Sequence, residues 1–209
     1  MTHKSYITEQ LVQFIACDGL DWRSARSKLL RSNHRLRSSD MPTDEEIEHA
    51  LREYYAIFCP KEHAETLKAL RSLALSWMER FESFSPRLIR GVLNGCADRF
   101  SNIYLEIVAE DLKSFEIFLL DHDVEYEVIS NPLQNRRDFS ETIFFPTTTF
   151  IRGKTNEINV VVSVYEYLPI KPKKGKKPDS YQHPLETLSS ATIKELKELI
   201  NAIDLQNIR

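Results

Sequence analysis

Apolar positions recur at helical spacing through the first 85 residues. Leu11, Phe14 and Ile15 share one face of a first segment, with Thr8 as its expected cap. Trp22, Ala25 and Leu29 follow at i, i+3 and i+7 in a second. Met41-Pro42-Thr43 interrupts the chain. Thr43 and Glu46 then have the spacing of a capping box, and Asp44, Glu45 and Glu46 place three acids in the first turn. The helix they open is expected to bury Ile47, Ala50, Leu51, Tyr54, Tyr55 and Phe58. Cys59-Pro60 closes it and starts a fourth, with Leu67, Leu70, Ala74, Trp77, Met78 and Phe81 on one side. No helix is apolar all round, which predicts a small bundle that also leans on another surface.

The period changes after Ser85-Pro86. Residues 88–92 are short and apolar. Along 102–108 the pattern alternates, with Asn102, Tyr104 and Glu106 on one side and Ile103, Leu105 and Ile107 on the other. A helical pattern returns over 111–120 (Leu112, Phe115, Phe118, Leu119). Stretches 126–129, 142–151 and 157–165 are rich in Val, Ile, Thr, Phe and Tyr and read as strands, with a hairpin turn over 152–156. A last helix spans 189–203, with Ile193, Leu196, Ile200 and Ile203 inward. The expected fold is α+β: an N-terminal helical bundle over 1–85, then a mixed sheet with flanking helices over 86–209.

Composition narrows the function classes. Of 209 residues 42% are apolar and 28% charged, as in a folded globular chain. Lys plus Arg is 28 against 31 for Asp plus Glu, a net −3, which excludes a generally basic nucleic-acid coat. No apolar run is long enough to span a membrane, and residues 1–20 lack the apolar stretch of a secretory signal. Cys17, Cys59 and Cys96 are far apart with no CxxC, which argues against a zinc site or a disulfide framework and for a reducing, cytoplasmic setting. Glycine is scarce, 5 in the whole chain, yet Gly91 and Gly95 fall within one pentapeptide.

Gly91-Val-Leu-Asn-Gly95 leads into Ser101-Asn102-Ile103-Tyr104-Leu105. Here the sequence resembles the nucleotidyltransferase superfamily, the fold of DNA polymerase β and the minimal nucleotidyltransferases. In that family a short strand ends in Gly-Ser, a second glycine follows, and the next strand reads Ser-Asp-Ile-Asp-Leu. Aligned on Gly95 and Ser101, the Gly-Ser pair falls on Arg90-Gly91, and the two aspartates fall on Asn102 and Tyr104. The family's third carboxylate, from a later strand, matches Asn159. The resemblance covers about 86–165 and implies a sheet with a phosphate-binding turn at Arg90, Gly91, Gly95 and Ser101.

The same resemblance implies Mg²⁺ and a nucleoside triphosphate for an active enzyme. Mg²⁺ is a hard cation that wants anionic oxygen ligands, and two carboxylates at i and i+2 on a strand share the face that clamps it. Asn102 and Asn159 are neutral amides and Tyr104 is protonated at neutral pH. The resemblance therefore implies a degenerate nucleotidyltransferase, a pseudoenzyme that binds a nucleotide or phosphate, with Arg90 and Arg99 as cationic partners. Two other readings stand beside it. One is an active transferase using Glu106, Asp98 or Glu157 as substitute ligands. The other is a module for a protein partner or a homodimer. The ordinary structural alternatives are a solvated strand face at Asn102, Tyr104 and Glu106 and a tight turn at the glycines.

The remaining signals are weaker. Gly153-Lys154-Thr155 lacks the earlier glycine of a phosphate loop and precedes a strand, so a hairpin turn is expected. Lys171, Lys173, Lys174, Lys176 and Lys177 form a proline-flanked basic loop, either a solubilising surface or a grip on nucleotide or RNA phosphates. No arginine has a histidine at the spacing of the helical ribonuclease toxins (HEPN type), and the six histidines form no HxH or HExxH.

Overall fold

A computed structural model of the chain describes residues 3–34, 36–128, 139–166, 178–179 and 182–207, with backbone alone at residue 3, 139–141 and 203–207. The five lysines at 171, 173, 174, 176 and 177 lie outside the described residues, as do Ile129 and the side chain of Ile203. Two compact units form, 1–63 and 64–209. Among the described residues no helix is long and apolar enough to cross a membrane.

The first unit is helical. Helix α1 (His3–Ala16) packs against α2 (Trp22–Ser32) and α3 (Asp44–Phe58). Ile7, Leu11, Val12 and Ile15 of α1 are buried, as are Ala25 and Leu29 of α2 and Ile47, Leu51 and Tyr55 of α3. Helix α3 starts at the expected capping box: the Thr43 hydroxyl accepts from the Glu46 N–H, and the Glu46 carboxylate accepts from the Thr43 N–H at 2.8 Å. Two expectations are corrected here. Thr8 lies inside α1, not at its start, and its hydroxyl donates back to the Lys4 carbonyl at 2.9 Å. Phe58, expected in the core, is the last residue of α3. It is 70% exposed and rests against Tyr54.

The second unit is a mixed sheet with helices. Helix α4 (Pro60–Arg80) leads to strand β1 (Arg87–Ile89), the single turn α5 (Gly91–Asn94) and strand β2 (Ile103–Val108). Helix α6 (Leu112–Asp121), strands β3 (Glu127–Val128), β4 (Phe139–Ile151) and β5 (Lys154–Tyr165), and helix α7 (Ile193–Asn207) follow. The five strands lie in the order β1-β2-β5-β4-β3. Strand β2 runs parallel to β5 and antiparallel to β1. The hairpin joining β4 to β5 is tighter than the 152–156 turn expected: Arg152 (φ 52°) and Gly153 (φ 74°) make a two-residue connection, and Lys154 already belongs to β5. Helix α7 begins at Ile193 instead of near 189. The preceding residues serve the sheet, where Leu88 and Ala191 exchange backbone hydrogen bonds of 2.8 and 2.9 Å.

One sheet face carries the core. Ile103, Leu105 and Ile107 of β2 and Val160, Val162 and Val164 of β5 are fully buried, as the alternation predicts. They join Leu67, Leu70, Ala74 and Met78 of α4, Phe115 and Leu119 of α6, and Leu196 and Leu199 of α7 in one cluster. Phe81 sits at its centre, with rings of Trp77, Phe115 and Phe145 within 5.3–5.5 Å. The break in hydrophobic period near residue 85 therefore marks the step from helix to strand. The compact units divide earlier, because Ala64 onward in α4 buries its stripe with the sheet.

Candidate functional site

The turn after β1 is built from unusual backbone. Arg90 has φ 63° and ψ −149°, a region that residues with a Cβ essentially avoid. Gly91–Asn94 then makes one helical turn, and Gly95 closes it at φ 83°. The Gly91 carbonyl accepts from the N–H groups of Gly95, Cys96 and Ala97, each at 3.1 Å. The Arg90 carbonyl takes those of Leu93 and Asn94 at 2.9 Å. The backbone donors of residues 93–97 are thus turned into the loop itself. Cys96 is buried and donates its thiol to the Asn94 side-chain oxygen at 2.8 Å.

The two glycines differ in why they are there. A Cβ on Gly95 would combine left-handed backbone with a 3.2 Å approach to the Glu186 carboxylate. A Cβ on Gly91 would meet only Ala97 at 3.5 Å, an ordinary contact on ordinary backbone. The space beside Gly95 is therefore taken by a carboxylate, an unsuitable neighbour for a phosphate.

That carboxylate belongs to a clamp that sequence reasoning missed. Arg71 of α4 is fully buried. Its Nε donates to the Val92 carbonyl at 2.9 Å, and Nη2 donates to Leu93 O at 3.1 Å and to Glu186 Oε1 at 2.6 Å. Glu186 Oε2 accepts from the His183 N–H at 2.8 Å, and the Gln182 amide donates to Asn94 O and Glu186 O. Burial pulls the Arg71 guanidinium below its ordinary pKa, and the Glu186 charge pushes back. A signal for Arg71 existed: it lies between Leu70 and Ala74 in the apolar stripe, where a charge demands a buried partner. The partner lies 115 residues away, beyond any local pattern.

On the sheet face opposite the core, the positions matched to the family carboxylates come together. The Asn102 side-chain oxygen accepts from the Asn159 N–H at 3.1 Å. Tyr104 is two residues along β2 on the same face, and the Arg90 guanidinium lies over its ring at 4.4 Å from the centroid. Next comes Glu106, directly across from Arg87 on β1. Burial raises the Glu106 pKa, opposed by the charges of Arg90 and Arg87. Glu157 is exposed and lies two residues before Asn159 on β5.

Asp98 and Ser101 form a separate lock in the loop before β2. Ser101 Oγ donates to Asp98 Oδ1 at 2.9 Å and accepts from the Asp98 N–H at 3.0 Å, and Phe100 N–H donates to the same carboxylate. Burial raises the Asp98 pKa, and these hydrogen bonds oppose the rise. Arg99 lies over the ring of its neighbour Phe100, with both residues exposed. Asn102, Tyr104 and Asn159 offer a hard cation no anionic oxygen. Among the described residues no group of three or more His, Cys, Asp or Glu is placed to hold a metal ion. The residues present do not fit the pair of Mg²⁺ ions that the resemblance implies.

Compared with known proteins, the chain matches no family model and no curated protein. Function is therefore read from the chemistry of the site.

Proposed function

We propose that residues 64–209 form a nucleotidyltransferase-like domain that binds a phosphate-bearing nucleotide beside Arg90 and Tyr104 and has lost nucleotidyl transfer. The observation that carries this reading is the juxtaposition of Asn102, Asn159 and Tyr104 on one sheet face, with Arg90 over it. The backbone of Arg90 supports the same reading. Its conformation is one that glycine adopts freely, and it stands where the resemblance puts the family's glycine. Transfer of a nucleotidyl group needs metal-bridged phosphates and an activated attacking group. Asn, Tyr and Asn supply neither the charge for the metal nor a base. Glu106 does not replace them: it is a single carboxylate whose charged form burial disfavours, opposed by the charges of Arg90 and Arg87.

Isothermal titration with ATP and GTP, each with and without Mg²⁺, tests the binding. Heat that saturates at micromolar to millimolar nucleotide is expected, and none at millimolar nucleotide in either condition overturns the reading. Incubation with α-labelled nucleotides and Mg²⁺ or Mn²⁺ tests the loss of transfer. Label appearing on protein, RNA or a small acceptor would make the domain an active transferase.

A further inference from the structure

The mismatch with Mg²⁺ has a counterpart in charge. We infer that the Arg90 guanidinium, stacked on Tyr104, is a built-in cation that takes over the phosphate-neutralising role of the metal, so that this face binds polyphosphate without a divalent ion. The inference rests on the phosphate-binding reading above and adds the means of binding.

Several observations converge on it. The guanidinium sits 4.4 Å from the ring of Tyr104, at a position where the resemblance has a metal-binding aspartate. Stacking on an aromatic face holds the cation in place and leaves its N–H edge to face a ligand. A planar guanidinium meets phosphate oxygens in a two-point fork, a geometry a hydrated metal does not need and a lysine cannot copy. Arg87 and Arg90 both act on Glu106, so two cations face one carboxylate. Asn102 and Asn159 beside them are neutral, and their amides can donate to an anion without repelling it. Finally, Arg90 keeps a backbone conformation that costs a residue with a Cβ. Glycine would remove that strain and also remove the cation.

The test uses inorganic tripolyphosphate as probe and the full chain, titrated calorimetrically in buffer containing a chelator and again with Mg²⁺. Binding is expected in chelator, and Mg²⁺ should weaken it by competing for the anion. Arg90→Gly should bind about 10-fold or more weakly, the scale of losing one charge-assisted hydrogen bond, while melting no lower than the parent. Arg90→Lys should recover only part of the loss. Tyr104→Phe, which keeps the ring, should bind like the parent, and Tyr104→Leu, which removes the stack, should not. Binding that appears only with Mg²⁺, or that survives Arg90→Gly unchanged, overturns the inference and leaves the phosphate-binding reading standing. No binding of tripolyphosphate in either buffer overturns the inference, and no binding of ATP or GTP in the titration above overturns both.

Discussion

Removing the Glu186 carboxylate should strongly destabilise the second unit. Glu186→Gln keeps the shape of the side chain and deletes the charge. It leaves the Arg71 guanidinium fully buried with neutral acceptors alone, and Nη1 already has no hydrogen-bond partner among the described residues. It also sets an amide N–H₂ against one of two donors, Arg71 Nη2 or the His183 N–H, since both carboxylate oxygens are in use. Breaking a buried pair from one side costs about 3–5 kcal/mol. Urea unfolding reads this directly. Trp77 belongs to the second unit and packs 5.0 Å from Phe145, so in a Trp22→Phe background its fluorescence reports that unit alone. With a urea slope of roughly 1–3 kcal/mol per molar, the midpoint should fall by about 1–5 M. Arg71→Met should fall similarly, because it strands the Glu186 charge. The double variant Arg71→Met, Glu186→Leu should be no less stable than either single one. It removes both charges, and the backbone groups left unpaired cost about 1–3 kcal/mol each, partly offset by apolar packing. Single variants that unfold within about 0.5 M of the parent, or a double-mutant cycle with no coupling, would refute the view that this pair holds the turn.

Two further outcomes separate the roles of neighbouring residues. Gly95→Ala should lose about 1–2 kcal/mol for left-handed backbone, with added crowding against Glu186, whereas Gly91→Ala should stay within about 0.5 kcal/mol of the parent. Equal losses in chemical denaturation would show that the two glycines are not distinguished as described. Asp98→Asn keeps an oxygen to accept from Phe100 N–H and Ser101 Oγ but cannot ionise. Because burial raises the Asp98 pKa in the folded state, its contribution to stability is greatest below its ordinary value of 3.8 and falls as pH rises through the raised value. The stability of Asp98→Asn relative to the parent should therefore improve between pH 4 and pH 7, and a flat or opposite trend in unfolding midpoints would contradict the buried-carboxylate account.

The parts of the fold that were legible are those set by local periodicity. The alternation along 102–108 became β2 with its apolar side buried, and Thr43 with Glu46 formed the capping box that starts α3. The extent of the first unit was less legible, because the stripe of α4 looks the same whether it packs on helices or on a sheet. The clamp was hidden for a different reason. A lone charge in a stripe shows that a partner is needed, and only the fold decides that it comes from Glu186 beyond α6 and the hairpin. At the candidate site, spacing alone put Asn102 and Tyr104 on one face, since residues at i and i+2 share a side, while Asn159 joins them through the register of β2 beside β5.

What spacing did not carry was the meaning of the glycines. The resemblance implies backbone access for a phosphate at the pair, and the ordinary alternative is a tight turn; Gly95 closes the turn at positive φ beside a buried carboxylate, and Gly91 has no conformational need to be glycine. The position whose backbone does favour glycine is 90, and it holds an arginine. Positive-φ conformations of this kind cost of order 1–3 kcal/mol and persist only where surrounding contacts hold them. Here the holding contacts are visible: the Arg90 carbonyl accepts from Leu93 and Asn94, α5 is tied down by Arg71, and the side chain lies on Tyr104. The buried pair and the strained arginine are thus two ends of one construction. The clamp fixes the turn from inside the unit, and the fixed turn holds a cation over the sheet face where the family's acids would have held metal.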